Sequence, residues 1–359
     1  MTRPLALSSR RARAVLGASA VLTAAALGLS ACATPGEEAG ADGPTIVATT
    51  TQVGDFTREL VGDTAEVTQL LSAGQSAHGF DPSAAQLLAL AEADALVING
   101  GGLESWLDDA VSASGFDGVL VDASTGIELY GTGDHDEDEP SEDEHADDEH
   151  ADEATGDQTD DADEHDHAGG NPHIWTDPEL AEHMVENIAD GLAEVDGIDP
   201  DALEANEAAY LDRLGALDAW IEENVAQVPV DQRLLVTNHD AFTYFLDAYD
   251  ITFVGSIIPS FDDNAEPSAA EIDELVANIR STGVLAVFSE ASLSPKAAET
   301  IANEAGVTVY SGDDALYGDA LGAPGSDGET YLGSQIHNAR LILQSWGVEP
   351  SALPAVLQG

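Results

Sequence analysis

Two series of short apolar segments, each alternating with helical segments, constrain the fold of this chain more than any other feature. The first series covers residues 45–123, and the second begins with LLVTN at 234–238 and ends with a helical segment at 330–346. Short apolar runs separated by helices are typical of parallel strands that helices cover on both faces. The sequence therefore predicts an α/β fold with two similar lobes, each a parallel sheet flanked by helices.

The two series contain one similar pair of segments. PSAAQLLALAEADALVI (82–98) and PSAAEIDELVANIRSTGVLAVF (267–288) both begin with Pro-Ser and lead into an apolar strand. Proline is favoured in the first turn of a helix, where its missing N–H has no helical partner, so we expect each proline to open a helix.

Residues 177–196 and 200–227 lie between the two series and are predicted helices. The second has apolar residues at helical spacing, namely Leu203, Tyr210, Leu214, Leu217 and Ile221. Such a helix would extend about 40 Å, long enough to join two lobes rigidly. We therefore predict an N-terminal lobe at 45–198, a linking helix at 199–228 and a C-terminal lobe at 229–359.

The first residues have the order of an export signal. The basic stretch SSRRAR precedes an apolar run at 14–29, and LSAC ends at Cys32. The run is too short for an ordinary transmembrane helix. Small residues before a cysteine resemble the bacterial lipobox, and Cys32 is the only cysteine in the sequence. We predict a signal peptide at 1–31, a lipid on Cys32, a flexible tether at 32–44, and anchoring to the outer face of the cytoplasmic membrane.

The charge balance restricts the partners. The sequence has 69 acidic and 10 basic residues, and its formal net charge is −59. Phosphate binding depends on clustered lysine and arginine, so nucleic acid is not expected as a partner. Small cations are the favoured ligands, although acidity also keeps a protein soluble.

One acidic segment, at 133–168, belongs to neither series. It has 19 Asp or Glu in 36 residues, no Lys or Arg and almost nothing apolar, which predicts a disordered loop. It also carries five histidines, His135, His145, His150, His165 and His167. Two interpretations stay open: the histidines collect metal as an auxiliary site, or the segment is a solvated insertion without a binding role.

Three other histidines fall at loops or strand ends. His78, His173 and His239 lie in SAHGFDPS, NPHIWTDP and TNHDAF, and open α/β sheets bind ligands in the crevice beyond the carboxyl ends of their strands. Three imidazoles and one harder ligand suit zinc. His183 and His337 lie inside helical segments, where we expect them to face solvent or pack.

Glu290 ends the strand segment VLAVFSE. It is either a plain strand-end acid or a hydrogen-bond partner of a ligand histidine.

Six motifs occur in the order found in one protein family. They are AHGFDPS, ADALVINGGGLESWL, NPHIWTDP, TNHDAFTYFLDAYDI, FSEASLSPKAAETIANEAGV and LYGDALGAPGSDGETYLGSQIHNARLI. Through them the chain resembles the zinc- and manganese-binding receptor lipoproteins of bacterial ABC importers. The resemblance implies two α/β lobes joined by a rigid helix. One metal ion, the transported ligand, would lie between the lobes and pass to a permease with its ATPase. We expect a monomer.

The resemblance also implies the metal ligands. They are His78 and His173 from the first lobe, and His239 and Asp319 from the second; Asp319 is matched through DALGAPGSDGETY, with Asp313 and Asp314 as alternatives. An acidic, histidine-rich insertion between the first two ligands is typical of zinc-type members. His239 stands where manganese-type members often have glutamate, so Zn²⁺ is favoured and a Mn²⁺ receptor is the alternative.

A zinc-dependent hydrolase is the alternative from another class, and it would keep a water on the metal. The sequence contains no P-loop, GxSxG or HExxH motif. We therefore predict a binding protein and not an enzyme. Histidine ligands must be neutral, so affinity is predicted to fall below about pH 6.

Overall fold

The computed structural model describes residues 43–131 and 170–358. Several predictions fall outside these residues: the signal peptide, the lipid on Cys32, all but the last two residues of the tether, and the acidic segment with its five histidines.

The first lobe is built on a four-stranded parallel sheet with the strand order β2-β1-β3-β4. Its strands are β1 (Thr45–Ala48), β2 (Glu66–Gln69), β3 (Ala95–Ile98) and β4 (Val119–Asp122), and its helices are α1 (Thr51–Val61), α2 (Ala84–Ala91), α3 (Leu107–Ser114) and α4 (Pro178–Leu192). β3 is buried along its whole length and the apolar residues of β1 are buried, because these strands form the middle of the sheet.

The second lobe repeats the strand–helix alternation with two parallel strand pairs, β5-β6 and β7-β8. Its strands are β5 (Leu234–His239), β6 (Thr252–Ile258), β7 (Ala286–Phe288) and β8 (Thr308–Tyr310), and its helices are α6 (Thr243–Ala248), α7 (Ala269–Thr282), α8 (Lys296–Ala305) and α9 (Tyr331–Ser345). The α/β class that the alternation predicted is confirmed.

The long helix α5 (Pro200–Val225) has 26 residues and is therefore about 39 Å long. Asp199 caps it by accepting from the backbone N–H groups of Asp201 and Ala202, and Pro200 occupies the first turn. The apolar positions predicted for this helix are buried. They pack with α1 and α4 of the first lobe and with α9 of the second.

Two helices start later than their prolines suggested. Ser83 and Ser268 are the N-caps of α2 and α7, and each forms a capping box with a residue three positions on, Gln86 or Glu271. The expectation that Pro82 and Pro267 open these helices is wrong, because each serine side chain accepts from the free backbone N–H three residues on and so sets the start.

The helix α3 does not follow β3 directly and begins only at Leu107. Three consecutive glycines before it, Gly100, Gly101 and Gly102, have φ of 77°, 64° and 81°. These angles lie in the left-handed region, so the chain turns here before a helix can start.

Two apolar cores support the molecule. The larger one includes residues of the first sheet, α1, α4, α5, α9 and β5. The smaller one lies among β6, β7, α7 and α8 of the second lobe. Within 43–131 and 170–358, no helix is both long and apolar enough to cross a membrane.

Candidate metal centre

The four predicted ligands come from four separate segments. His78 lies in the loop between β2 and α2, and His173 precedes a single turn of 3-10 helix, Ile174–Thr176. His239 is the last residue of β5, and Asp319 lies between β8 and α9. The structure brings these side chains together: each offers one ligand atom, and the four atoms lie within 4.8 Å of one another.

The distances inside the cluster are short and similar. Asp319 Oδ1 lies 3.0 Å from Nε2 of His173 and 3.0 Å from Nε2 of His239. His173 Nε2 lies 3.2 Å from His78 Nε2 and 3.4 Å from His239 Nε2. His78 Nε2 lies 3.9 Å from Asp319 Oδ2. Four potential ligand atoms therefore surround one common centre.

Burial separates the cluster from bulk water. His173 and His239 are 0% exposed and Asp319 is 1% exposed, whereas the His78 side chain keeps 6% of its surface. Asp313 and Asp314, the alternatives to Asp319, are exposed and do not join the cluster.

Asn171 orients His173. Its Oδ1 accepts from the backbone N–H of His173 at 3.1 Å and lies 2.6 Å from ring Nδ1. An amide oxygen can only accept, so Nδ1 carries the proton and Nε2 directs a lone pair into the cluster. The Asn171 amide nitrogen donates to Asp240 O at 2.7 Å and to Thr243 Oγ1 at 3.0 Å in the second lobe.

Glu290 orients His239 in the same way that Asn171 orients His173. Its Oε1 accepts from the backbone N–H of His239 at 3.0 Å and lies 2.8 Å from ring Nδ1. Of the two interpretations of Glu290, the structure shows the hydrogen bond to a histidine of the cluster. A Cβ on Gly318 would lie 2.3 Å from Glu290 Oε2, so this contact requires glycine there.

The electrostatics favour a cation. In the metal-free protein, burial lowers the pKa of His173 to about 4, although Asp319 acts to raise it. Burial also acts to lower the pKa of His239, but Asp319 and Glu290 outweigh it and raise that pKa well above its ordinary value. Burial acts to raise the pKa of Asp319, yet His239 and His173 hold it well below its usual range. These shifts favour an ionised Asp319, a protonated His239 and a neutral His173 in the metal-free protein.

The other histidines of the described chain lie elsewhere. His183 is exposed on α4 and pairs with Glu186 at 3.1 Å. His337 on α9 packs against Tyr317, and its ring Nε2 lies 3.0 Å from Ala315 O. Both follow the expectation of a solvent-facing or packing role.

The sequence model of one protein family, described as "Zinc-uptake complex component A periplasmic" (ZnuA), matches residues 46–345. The chain belongs to the ZnuA family. The family resemblance seen in the motifs is thereby confirmed.

Curated relatives of this ZnuA-family chain include two lipoproteins. It is 29% identical over 297 residues to the manganese-binding lipoprotein MntA of Halalkalibacterium halodurans, covering 83% of this chain and 86% of the relative. It is 31% identical over 262 residues to the zinc-binding lipoprotein AdcA of Streptococcus pneumoniae, covering 73% of this chain. The match spans only 48% of that relative, about half its length.

Solved structures share the fold. The periplasmic zinc binding protein TroA from Treponema pallidum matches with a TM-score of 0.70 and 23% identity, covering 85% of this chain and 99% of TroA. A manganese-bound periplasmic metal binding protein from Candidatus Liberibacter asiaticus matches with a TM-score of 0.68 and 19% identity, covering 84% and 99%. These likenesses confirm the predicted fold.

Sequence reasoning missed two residues that support the cluster. Asn171 lies two positions before His173, and the Asn-Pro-His order was the available signal. Glu104 is buried, which raises its pKa, and its carboxylate accepts from Asn99 N, Gly100 N and Thr49 Oγ1. Asn99 donates to Pro172 O at 3.1 Å, so this buried acid supports the segment before His173.

Proposed function

We propose that this chain is the extracytoplasmic receptor of an ABC importer and that it captures one Zn²⁺ between its lobes. His78, His173, His239 and Asp319 would hold the ion, which is the transported substrate. A permease and its ATPase would receive it. The observation that carries the proposal is the convergence of these four side chains, with ligand atoms within 4.8 Å.

The spacing of the ligand atoms fits zinc. Ligands at about 2.0–2.1 Å from a tetrahedral zinc lie about 3.3 Å from one another. The five separations given above range from 3.0 to 3.9 Å, and all four ligand atoms lie within 4.8 Å of one another. Asp319 Oδ2 is buried and has no hydrogen-bond partner among the described residues, which suits an oxygen that binds a cation.

The donor set favours Zn²⁺ over Mn²⁺. Three imidazole nitrogens and one carboxylate suit zinc, whereas manganese prefers oxygen ligands in octahedral geometry. The Nδ1 atoms of His173 and His239 are held by Asn171 and Glu290, and such partners orient metal-binding histidines. One relative is named for manganese and another for zinc, so a Mn²⁺ receptor is the alternative.

The proposal includes a membrane anchor and a domain arrangement. Residues 1–31 would be removed, Cys32 would carry lipid, and 32–44 would tether a monomeric receptor to the outer face of the cytoplasmic membrane. The lipoprotein names of two relatives support the anchor. Two lobes, 45–198 and 229–359, would be joined by the helix at 199–228, and the histidines of 133–168 would collect zinc as an auxiliary site.

Binding without catalysis follows from the fourth ligand. Asp319 would occupy the position that a catalytic zinc leaves to water. We expect no turnover of ester or phosphate substrates by the zinc-loaded protein. Turnover that disappears in His239→Ala would favour the hydrolase instead.

Metal content and competition titration of a soluble form lacking residues 1–32 test the proposal. We expect one tightly bound zinc that survives deletion of residues 133–168, is lost in His239→Ala and is retained in His183→Ala, a matched change at an exposed histidine. Loss of tight binding on deletion of 133–168 would place the site in the acidic segment. Preference for manganese under competition would change the cargo.

A further inference from the structure

His78 differs from the other proposed ligands in how its side chain is held. Asn171 and Glu290 fix the rings of His173 and His239, but the contacts of His78 Nε2 are with His173 and Asp319 of the cluster itself. His78 is also the ligand with the most exposed side chain. Its orientation therefore depends on the backbone of its loop.

The first lobe holds this loop from one side. Trp106 Nε1 donates to Ala77 O at 2.9 Å, and Ser105 Oγ donates to His78 O at 3.3 Å. Both donors lie just before α3, so the carbonyl groups of residues 77 and 78 are attached to their own lobe.

A hydrogen bond from Ser76 connects the loop to the second lobe. Ser76 Oγ donates to Asp263 Oδ1 at 2.8 Å and accepts from the backbone N–H of His78 at 3.2 Å. Asp263 lies in the segment between β6 and α7. A continuous path of hydrogen bonds thus runs from the second lobe through Ser76 to the backbone of His78.

The surrounding backbone fits closely. A Cβ on Gly79 would lie 3.2 Å from Oδ1 and Nδ2 of Asn264, so residues 76–79 and 263–264 approach closely across the cleft. Asp262 Oδ1 accepts from the backbone N–H of Asn264 at 2.9 Å, which shapes the turn that presents Asp263. The contact is therefore part of a fitted surface between the lobes.

We propose that Ser76 and Asp263 form an interlobe latch that positions His78 on the metal and sets how fast the metal leaves. The inference rests on the proposed function. Release requires one ligand to dissociate first, and His78 is the most exposed of the four. While the latch is closed, the His78 backbone is held from both lobes. When it opens, the loop loses this hydrogen bond to the second lobe and keeps those to Ser105 and Trp106 of the first lobe, and His78 dissociates more readily. Both are positioning residues, and neither binds the metal.

Loss of charge is the competing explanation if a substitution of Asp263 changes the rate of metal release. Its carboxylate interacts electrostatically with Asp319, His78 and His239, so its removal changes the field at the metal as well as the hydrogen bond. Ser76 carries no charge. A double-mutant cycle between Ser76 and Asp263 separates the two effects, because loss of a shared hydrogen bond makes the two changes non-additive, whereas loss of the Asp263 charge acts whether or not Ser76 is present.

The test is the zinc dissociation rate, measured by stopped-flow transfer to a chelator from the soluble form lacking residues 1–32. We expect Ser76→Ala and Asp263→Ala each to raise the rate about five- to tenfold, as loss of one hydrogen bond implies. The double variant should be no faster than the faster single variant. Ser76→Thr, which keeps the hydroxyl, should stay within about twofold of the unaltered protein, and so should Asp273→Asn, a matched loss of charge at an exposed position on α7.

A latch affects release of the metal more than folding. The metal-free variants should therefore have the same melting temperature as the metal-free unaltered protein. Unchanged release from Ser76→Ala, with faster release from Asp263→Ala and Asp263→Asn, overturns the latch in favour of charge. If the variants lose metal affinity and the metal-free variants also melt at a lower temperature, the residues have a merely structural role, and this outcome also overturns the latch. A soluble form that binds no zinc contradicts the proposed function itself, whereas normal loading with unchanged Ser76→Ala release contradicts the latch alone.

Discussion

At the scale of single residues, Asn171 connects a proposed ligand of the first lobe, His173, to the second lobe. Its oxygen accepts from His173, and its nitrogen donates to Asp240 O and Thr243 Oγ1. Asn171→Ala removes the group that fixes the His173 tautomer, and loss of such a partner typically lowers metal affinity about 10- to 100-fold. Competition titration with a zinc chelator measures the change.

Asn187→Ala is the matched control for Asn171→Ala. Asn187 also donates its amide to backbone carbonyls, those of Ala123 and Thr125, but these lie outside the cluster. We expect its zinc affinity to equal that of the unaltered protein. Equal affinity in Asn171→Ala would show that His173 is oriented without the asparagine.

The charge of His239 should set the pH dependence of the proposed zinc binding. Asp319 and Glu290 outweigh burial and raise the pKa of His239 well above its ordinary value, so we expect the metal-free protein to hold a proton there at neutral pH. Zinc needs the neutral ring and must displace this proton. Apparent affinity should therefore rise about tenfold per pH unit up to that pKa. The window lies above the pH of about 6 that an unperturbed histidine predicts.

Calorimetry in two buffers of different ionisation enthalpy measures the displaced proton. Near pH 7 we expect about one proton released per zinc, and fewer in Glu290→Gln, which lacks one of the carboxylates that raise the pKa. The same affinity at about pH 6 and about pH 8 would contradict a protonated His239.

The pattern of loops and strand ends was enough to single out His78, His173 and His239. Asp319 was different, because Asp313 and Asp314 lie nearby in sequence and only the family motif favoured it. Burial distinguishes them in the structure. Asn171 and Glu104 were missed because their roles depend on which backbone groups the folded chain brings beside them.

At the scale of elements, α1 supports the first turn of α9 across the lobes. Asp55 of α1 accepts from the backbone N–H of Tyr331, the first residue of α9, at 2.8 Å. Burial raises the pKa of Asp55 from 3.8 to about 6. The folded chain therefore keeps a proton that the unfolded chain loses between these values, so this group makes stability fall as pH rises through that window.

Asp55→Asn should remove this pH dependence. Asparagine can still accept from Tyr331 but carries no charge, so we expect it to stabilise the metal-free protein by about 1–3 kcal/mol near pH 8 and by less near pH 5. Urea unfolding at both pH values measures this. Asp63→Asn, a matched change at an exposed position, should leave the free energy of unfolding unchanged at both pH values. A stability loss at both pH values would mean that the carboxylate is needed for the hydrogen bond to Tyr331.

Hydrophobic alternation predicted the strands and helices, but it did not predict where several helices begin. The start of α3 depends on three glycines in the left-handed region, and the starts of α2 and α7 depend on serine caps. Apolar periodicity reports which face is buried, whereas the ends are set by local polar groups.

At the scale of the whole molecule, the cluster joins the lobes. Two proposed ligands come from each lobe, and Asn171, Asp55 and the Ser76–Asp263 latch also cross between them. The hydrogen bonds that Asn171, Asp55 and Ser76 form between the lobes were not predicted from sequence, because each pairs residues far apart in the chain. An ion held by both lobes binds only the folded arrangement, so binding must add to stability.

Thermal melting measures this coupling. At a free zinc concentration about 100 times the Kd, binding adds about 2.7 kcal/mol, which raises the melting temperature of a chain this long by several degrees. His239→Ala should lose the shift, and deletion of residues 133–168 should keep it. The reverse pattern would mean that zinc stabilises the protein through the acidic segment, since an interlobe ion cannot raise the melting temperature after its own ligand is removed.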